Sequence, residues 1–72
     1  MYLNMNYEIY NGMFTLEGHT IEYEFNTDDT CTIRERYRAG GQEPHNSHTR
    51  VSCSNAVLHQ KSFIKLGYDK VS

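Results

Sequence analysis

Cys31, His45, His48 and Cys53 are the side chains in this sequence whose types could hold a metal ion together, spaced Cys-x13-His-x2-His-x4-Cys. Four nitrogen and sulfur donors suit tetrahedral zinc, and a short chain gains much from a metal staple. The spacing lacks the Cys-x2-Cys knuckle of ordinary structural sites, so zinc is the secondary reading and no metal is expected. Cys31 and Cys53 paired as a disulfide would close a loop of about twenty residues, worth about 3 kcal/mol in the chain-entropy account. Nothing in the sequence indicates an oxidising compartment, and two free thiols are expected.

Other combinations are poorer in chemistry. Asp28-Asp29 falls in a polar hairpin loop and His19 in a tight turn, and neither has a partner fixed by spacing. Cys53 and His59 stand six residues apart, which does not bring them to one helical face. No glycine-rich oxyanion or phosphate loop accompanies them. No catalytic residue and no cofactor are therefore expected. The 72 residues point the same way: such a chain buries only about 60% of its unfolded surface, leaving little room for a deep pocket.

Charge is the more informative property. Residues 1–31 hold Glu8, Glu17, Glu22, Glu24, Asp28 and Asp29 with no Lys or Arg, a charge of −6. Residues 32–72 hold four Arg and three Lys against Glu35, Glu43 and Asp69, a charge of +4. Asymmetry between halves marks interaction surfaces. It also arises when acidic and basic strands pair within a sheet.

The elements that must position these groups are legible from turns and alternation. Asn11-Gly12 suits a type I′ hairpin, pairing Tyr10 with Met13, Ile9 with Phe14 and Tyr7 with Leu16. Gly18-His19 suits a type II′ turn, pairing Glu17 with Thr20, Leu16 with Ile21 and Phe14 with Tyr23. The polar loop 26–30 then sets Phe25 opposite Cys31, Tyr23 opposite Ile33, Glu22 opposite Arg34 and Thr20 opposite Arg36. Each connection sends one apolar set to one side, and a one-residue slip would expose all of it. The sequence thus predicts a four-stranded antiparallel meander over about residues 3–10, 13–17, 20–25 and 31–37.

Residues 38–48, with Gly40-Gly41 and Pro44, read as a loop. Beyond them, Ser54 can cap a helix through Leu66 with Gly67 as its terminating residue. Ala56, Val57, Phe63, Ile64 and Leu66 would supply its apolar contacts. A single sheet must cover its apolar face. The expected fold is α+β, a single domain over 1–72 with one C-terminal helix on the meander. A small all-β barrel or sandwich is the alternative, because Ile64, Leu66 and Tyr68 also alternate.

The far side of such a sheet runs from acidic to basic. Glu8, Tyr10, Met13, Glu17, Glu22 and Glu24, with Asp28 and Asp29 at one end, form the expected protein-binding surface. It fits a larger host protein with a basic groove, such as a nucleic-acid-handling machine. The expected function is a small non-enzymatic inhibitor of the kind viruses and mobile elements use against host defence. Arg34, Arg36, Arg38 and Arg50 support an alternative, a nucleic-acid-binding β module. No run approaches the ~20 apolar residues of a membrane span. The first ten residues lack the pattern of a secretory signal, so a cytoplasmic location and no membrane partner are expected.

Overall fold

The computed structural model describes residues 10–38, 40 and 43–71. Five strands and one helix follow in order: β1 (Gly12–Leu16), β2 (His19–Phe25), β3 (Thr30–Tyr37), β4 (His45–Ser52), α1 (Cys53–Leu66) and β5 (Asp69–Val71). The strands form one antiparallel sheet in the order β4-β3-β2-β1-β5. The α+β class and the helix on a meander are as the sequence predicts. The fifth strand is additional.

The β2–β3 register matches the expected pairs, from Phe25 opposite Cys31 to Thr20 opposite Arg36. The β1–β2 register differs. Its turn is Glu17-Gly18, with φ of 47° and 83°, the positive pair of a type I′ turn. Phe14 therefore lies opposite Ile21 rather than Tyr23. The displacement is two residues, so the same side chains stay on the same face. His19 leaves the turn to become a strand residue on that face.

The expected strand 3–10 falls, except for Tyr10, outside the described residues. Its pairing site on β1 is taken: Met13, Phe14 and Thr15 lie opposite Val71, Lys70 and Asp69 of β5. Tyr10 does not pair with Met13 across an Asn11-Gly12 turn, since Met13 lies opposite Glu22 and Val71, and Asn11 is otherwise engaged. Its side-chain oxygen accepts from the Phe25 N–H at 3.3 Å. Tyr10 is held beside the helix by Gln60, whose amide accepts from the Tyr10 N–H at 2.9 Å and donates to its carbonyl at 3.0 Å. A paired donor and acceptor on one buried side chain satisfies both backbone groups without a strand partner.

Residues 45–48, expected in a loop, open β4 instead. β4 pairs with β3 over eight residues without a bulge, from Thr30 opposite Ser52 to Tyr37 opposite His45. Its inward side carries His45, Ser47 and Thr49, and only Val51 is apolar, so no alternation announces it.

The cap of helix α1 lies two residues earlier than the expected Ser54. Ser52 is the cap, in extended geometry, and its hydroxyl accepts from the Asn55 N–H at 3.2 Å. It ends as expected at Gly67, with φ 110°. Gly67 N–H donates to the Ile64 carbonyl and Tyr68 N–H to the Phe63 carbonyl, a Schellman closure that needs the left-handed conformation glycine adopts cheaply. The buried side of α1 is Cys53, Ala56, Val57 and Gln60, with Phe63 partly buried against the core. Ile64 and Leu66, expected as core contacts, point to solvent together with Leu58. Phe14, Ile21, Tyr23, Cys31, Ile33 and Ala56 form the core cluster.

Gln60 is 1% exposed and Leu58 65%. Replacing Gln60 with Leu keeps the volume but strips Tyr10 of both partners. It should cost about 1–3 kcal/mol. Leu58→Lys should stay within about 0.5 kcal/mol of the parent. Urea unfolding of the two variants measures both. Equal stability for the two variants would contradict this helix orientation.

Candidate functional site

Since α1 lies on one side of the sheet, strand alternation leaves the other side open among the described residues. It carries Met13 and Thr15 of β1, Thr20, Glu22 and Glu24 of β2, Thr32, Arg34 and Arg36 of β3, and Asn46, His48 and Arg50 of β4. Charge is sorted by strand: acidic on β2, basic on β3 and β4. A groove of about 450 Å³ crosses this face, lined by Met13, Thr20, Glu22, Arg34, Arg36 and His48 among others.

Part of the charge is paired internally. Glu22 lies opposite Arg34, as expected, but the close contact is diagonal: Arg34 Nη1 donates to Glu24 Oε1 at 2.6 Å. That bond, and the Glu24 charge, hold the guanidinium above its ordinary value. Arg50 Nη1 stands 3.6 Å from Asp28 Oδ2. The Asp28 carboxyl is held below the usual carboxylate range, first by the Thr30 hydroxyl that donates to it and then by the Thr30 backbone and Arg50. Such exposed pairs contribute little to stability, about 0–1 kcal/mol each. Their effect here is to orient side chains on the face.

The expected protein-binding residues do not form one ridge. Met13 and Glu22 are direct cross-strand neighbours, and Glu24 follows on the same face. Glu17 sits in the β1–β2 turn and Asp28 and Asp29 in the β2–β3 loop, at opposite ends of β2. Tyr10 belongs to the helix side, with Lys70 Nζ 5.0 Å from its ring centre. Glu8 lies outside the described residues. Of the arginines, Arg34 and Arg36 share the open face of β3, Arg50 faces out from β4, and Arg38 is exposed just beyond β3.

The possible metal quartet is not assembled. His45 and His48 differ by an odd number of strand positions and so project to opposite sides of β4. His45 stacks on Tyr37 with ring centres 5.2 Å apart, while His48 lines the outer groove. Cys31 and Cys53 are free thiols buried under the helix. The Cys53 thiol donates to Asp29 Oδ1 at 3.7 Å, fastening the start of α1 to the β2–β3 loop. Among the described residues, no group of three or more His, Cys, Asp or Glu side chains is placed to hold a metal ion.

A second constellation lies on the helix side, and the sequence reading did not find it. Glu35 of β3 meets two histidines. His19 Nε2 is 3.0 Å from Glu35 Oε1, and His59 Nε2 of α1 is 3.6 Å from Glu35 Oε2. The other ring nitrogens meet tyrosines: His19 Nδ1 with Tyr68 Oη at 2.5 Å, His59 Nδ1 with Tyr23 Oη at 2.7 Å. One proton assignment satisfies the chain throughout. Both tyrosines donate to Nδ1, and both Nε2–H groups point at the carboxylate. Phe63 stacks on His59 with centres 4.6 Å apart and meets His19 and Tyr68 edge-on. Tyr23 is 2% exposed, so its hydroxyl is spent within the fold. The arrangement ties α1 and the β5 segment to the sheet where apolar side chains run out. Strand parity could have placed His19 and Glu35 on the inner face. The two-residue error in the β1–β2 register left His19 in a turn and concealed it.

No protein-family model, curated protein or solved structure gives a significant match to this chain. No helix among the described residues is long and apolar enough to cross a membrane.

Burial pushes the Tyr23 phenol well above its ordinary value, with the Glu35 charge adding to it. Burial likewise raises the Cys31 and Cys53 thiols, and the Asp29 carboxylate adds to the second. An acid raised in the fold keeps its proton after the unfolded chain has released it. Its stabilisation is complete below the ordinary values, 9.0 for the thiols and 10.0 for the phenol, and is lost as pH rises beyond them. Thermal midpoints should therefore hold to about pH 9 and fall above it. Tyr23→Phe should flatten the fall above pH ~10 while costing about 0.5–1.5 kcal/mol at neutral pH. A parent midpoint that stays level to pH ~11 would contradict this burial.

Proposed function

We propose that this protein is a non-enzymatic protein-binding module that docks by its uncovered sheet face. One observation carries the reading: α1 occupies one side of the sheet, and the other side presents a groove with Met13 in its wall and charges sorted by strand. A rigid sheet holds such groups in place before binding, which lowers the ordering cost of association. Met13 supplies an adaptable apolar contact, and Glu22 and Glu24 supply an acidic column. The matching surface is a basic groove on a larger protein, of the kind that carries nucleic acid. Occupying it would exclude the nucleic acid, so the activity is inhibition, as in the anti-defence accessory proteins of viruses and mobile elements. Position narrows the acidic surface to Glu22 and Glu24, since Glu17, Asp28 and Asp29 stand at the two ends of β2.

A second reading has one observation in its favour. Among the described residues, Arg36 and Arg38 have no carboxylate within ion-pair distance, unlike Arg34 and Arg50. Arginines held on a sheet face can contact phosphates.

Affinity capture from host lysate with and without nuclease separates the two. A dominant protein partner that survives nuclease supports docking. Glu22→Lys with Glu24→Lys should then weaken binding by at least about tenfold, or about 1.4 kcal/mol. Arg36→Ala with Arg38→Ala should leave it intact. Circular dichroism should show both double variants folded. Capture of nucleic acid alone, falling steeply with salt and abolished by the arginine changes, would transfer the function to the second reading.

A further inference from the structure

The two ends of the sheet are unequal. β5 offers an edge of three residues, and β4 an edge of eight, seven of them exposed. Among the described residues, no strand pairs with β4 on the side away from β3. An open edge of that length presents a row of unpaired N–H and C=O groups, and proteins usually blunt it with proline, lysine, inward charges or a bulge. β4 has none of these and carries one charged side chain, Arg50. Pro44 precedes it, and its pairing with β3 is continuous.

We propose that β4 pairs antiparallel with β4 of a second copy of this chain. Its sequence, HNSHTRVS, is suited to meeting itself. In the register centred on His48, Asn46 lies opposite Arg50 of the other copy, so an amide oxygen faces a guanidinium. Ser47 lies opposite Thr49, a hydroxyl pair of the kind that stabilises antiparallel strands. His45 lies opposite Val51. In the register centred on Thr49, Arg50 faces His48. Arg50 is the only full charge on the strand, and neither register sets it against its own copy.

A two-fold axis normal to the sheet keeps the open faces of both copies on one side. Asn46 and His48 line the outer groove next to this edge, so pairing would abut the two grooves and make one docking face across ten strands. The contact is narrow, and the dimer is a reversible one that forms with concentration.

Sedimentation velocity over a concentration series tests this. The mass should rise from 8.4 kDa toward twice that value. Asn46→Lys with His48→Lys sets a lysine opposite Arg50 in either register and should raise the dissociation constant at least tenfold. Both residues are exposed, and each lysine also faces an arginine of β3, Arg36 or Arg34, so the thermal midpoint should fall slightly while circular dichroism shows the variant folded. Hydrogen exchange of the parent gives an independent reading, since amides of β4 should gain protection with concentration. Glu22→Lys with Glu24→Lys should leave the dimer intact. A chain that stays at 8.4 kDa throughout overturns the proposal. So does a lysine variant that associates as well as the parent, or protection that appears at β5 instead, or an edge that takes up only an unrelated extended peptide.

Discussion

Fourteen helical residues shield the apolar side of a five-stranded sheet, and they reach across only part of it. The cover is good where Cys53, Ala56 and Val57 lie over the core, with Cys31, Ile33, Ile21, Tyr23 and Phe14 beneath. It thins toward the β1–β2 turn. There the inward positions are His19 and Glu35, and the helix offers His59 and Phe63. A thin core cannot leave polar groups unpaired, because each buried orphan costs about 1–3 kcal/mol. The chain of Tyr68, His19, Glu35, His59 and Tyr23 answers that constraint, and among the described residues no buried side-chain nitrogen or oxygen lacks a partner.

The same limitation shapes the open face. Among the described residues one helix covers one face, the other face is left to solvent, and alternation loads it with Thr, Glu, Arg and His. Sorting by strand follows from chain order, because the acidic first half supplies β2 and the basic second half supplies β3 and β4. Adjacent columns of opposite sign then bond in part to each other, as Arg34 does to Glu24. The groove between the columns and the charges beside it stay exposed among the described residues. Two carboxylates, Glu22 and Glu24, against three arginines, Arg34, Arg36 and Arg50, leave the face a net charge of +1, which gives little long-range steering.

Edges are governed by different physics from faces. β5 is short, follows the Schellman turn directly, and fills the side of β1 where an N-terminal hairpin would have paired. β4 is long and polar, and follows the segment containing Pro44. Its backbone groups are satisfied on one side by β3 and on the other by water or by another strand.

Much of this was legible in the sequence. The alternation of Phe14, Ile21, Tyr23, Cys31 and Ile33 fixed which side chains face the core, because strand period is two and survives a two-residue error in register. The loop 26–30 set the β2–β3 pairing, and Gly67 marked the helix end. Glu22, Glu24, Arg34 and Arg36 were placed correctly on the open face for the same reason. Other features were decided only by tertiary contacts. β4 has no apolar alternation, since an edge strand needs little. β5 is too short for periodicity to act on. Tyr10 turned to the helix side because Gln60, a buried amide 50 residues away, satisfied its backbone. The meeting of His19, Glu35 and His59 required three elements to pack at once. Local pattern determines which way a side chain points along its own strand, whereas partners distant in sequence are chosen by the packing that pairs every buried polar group.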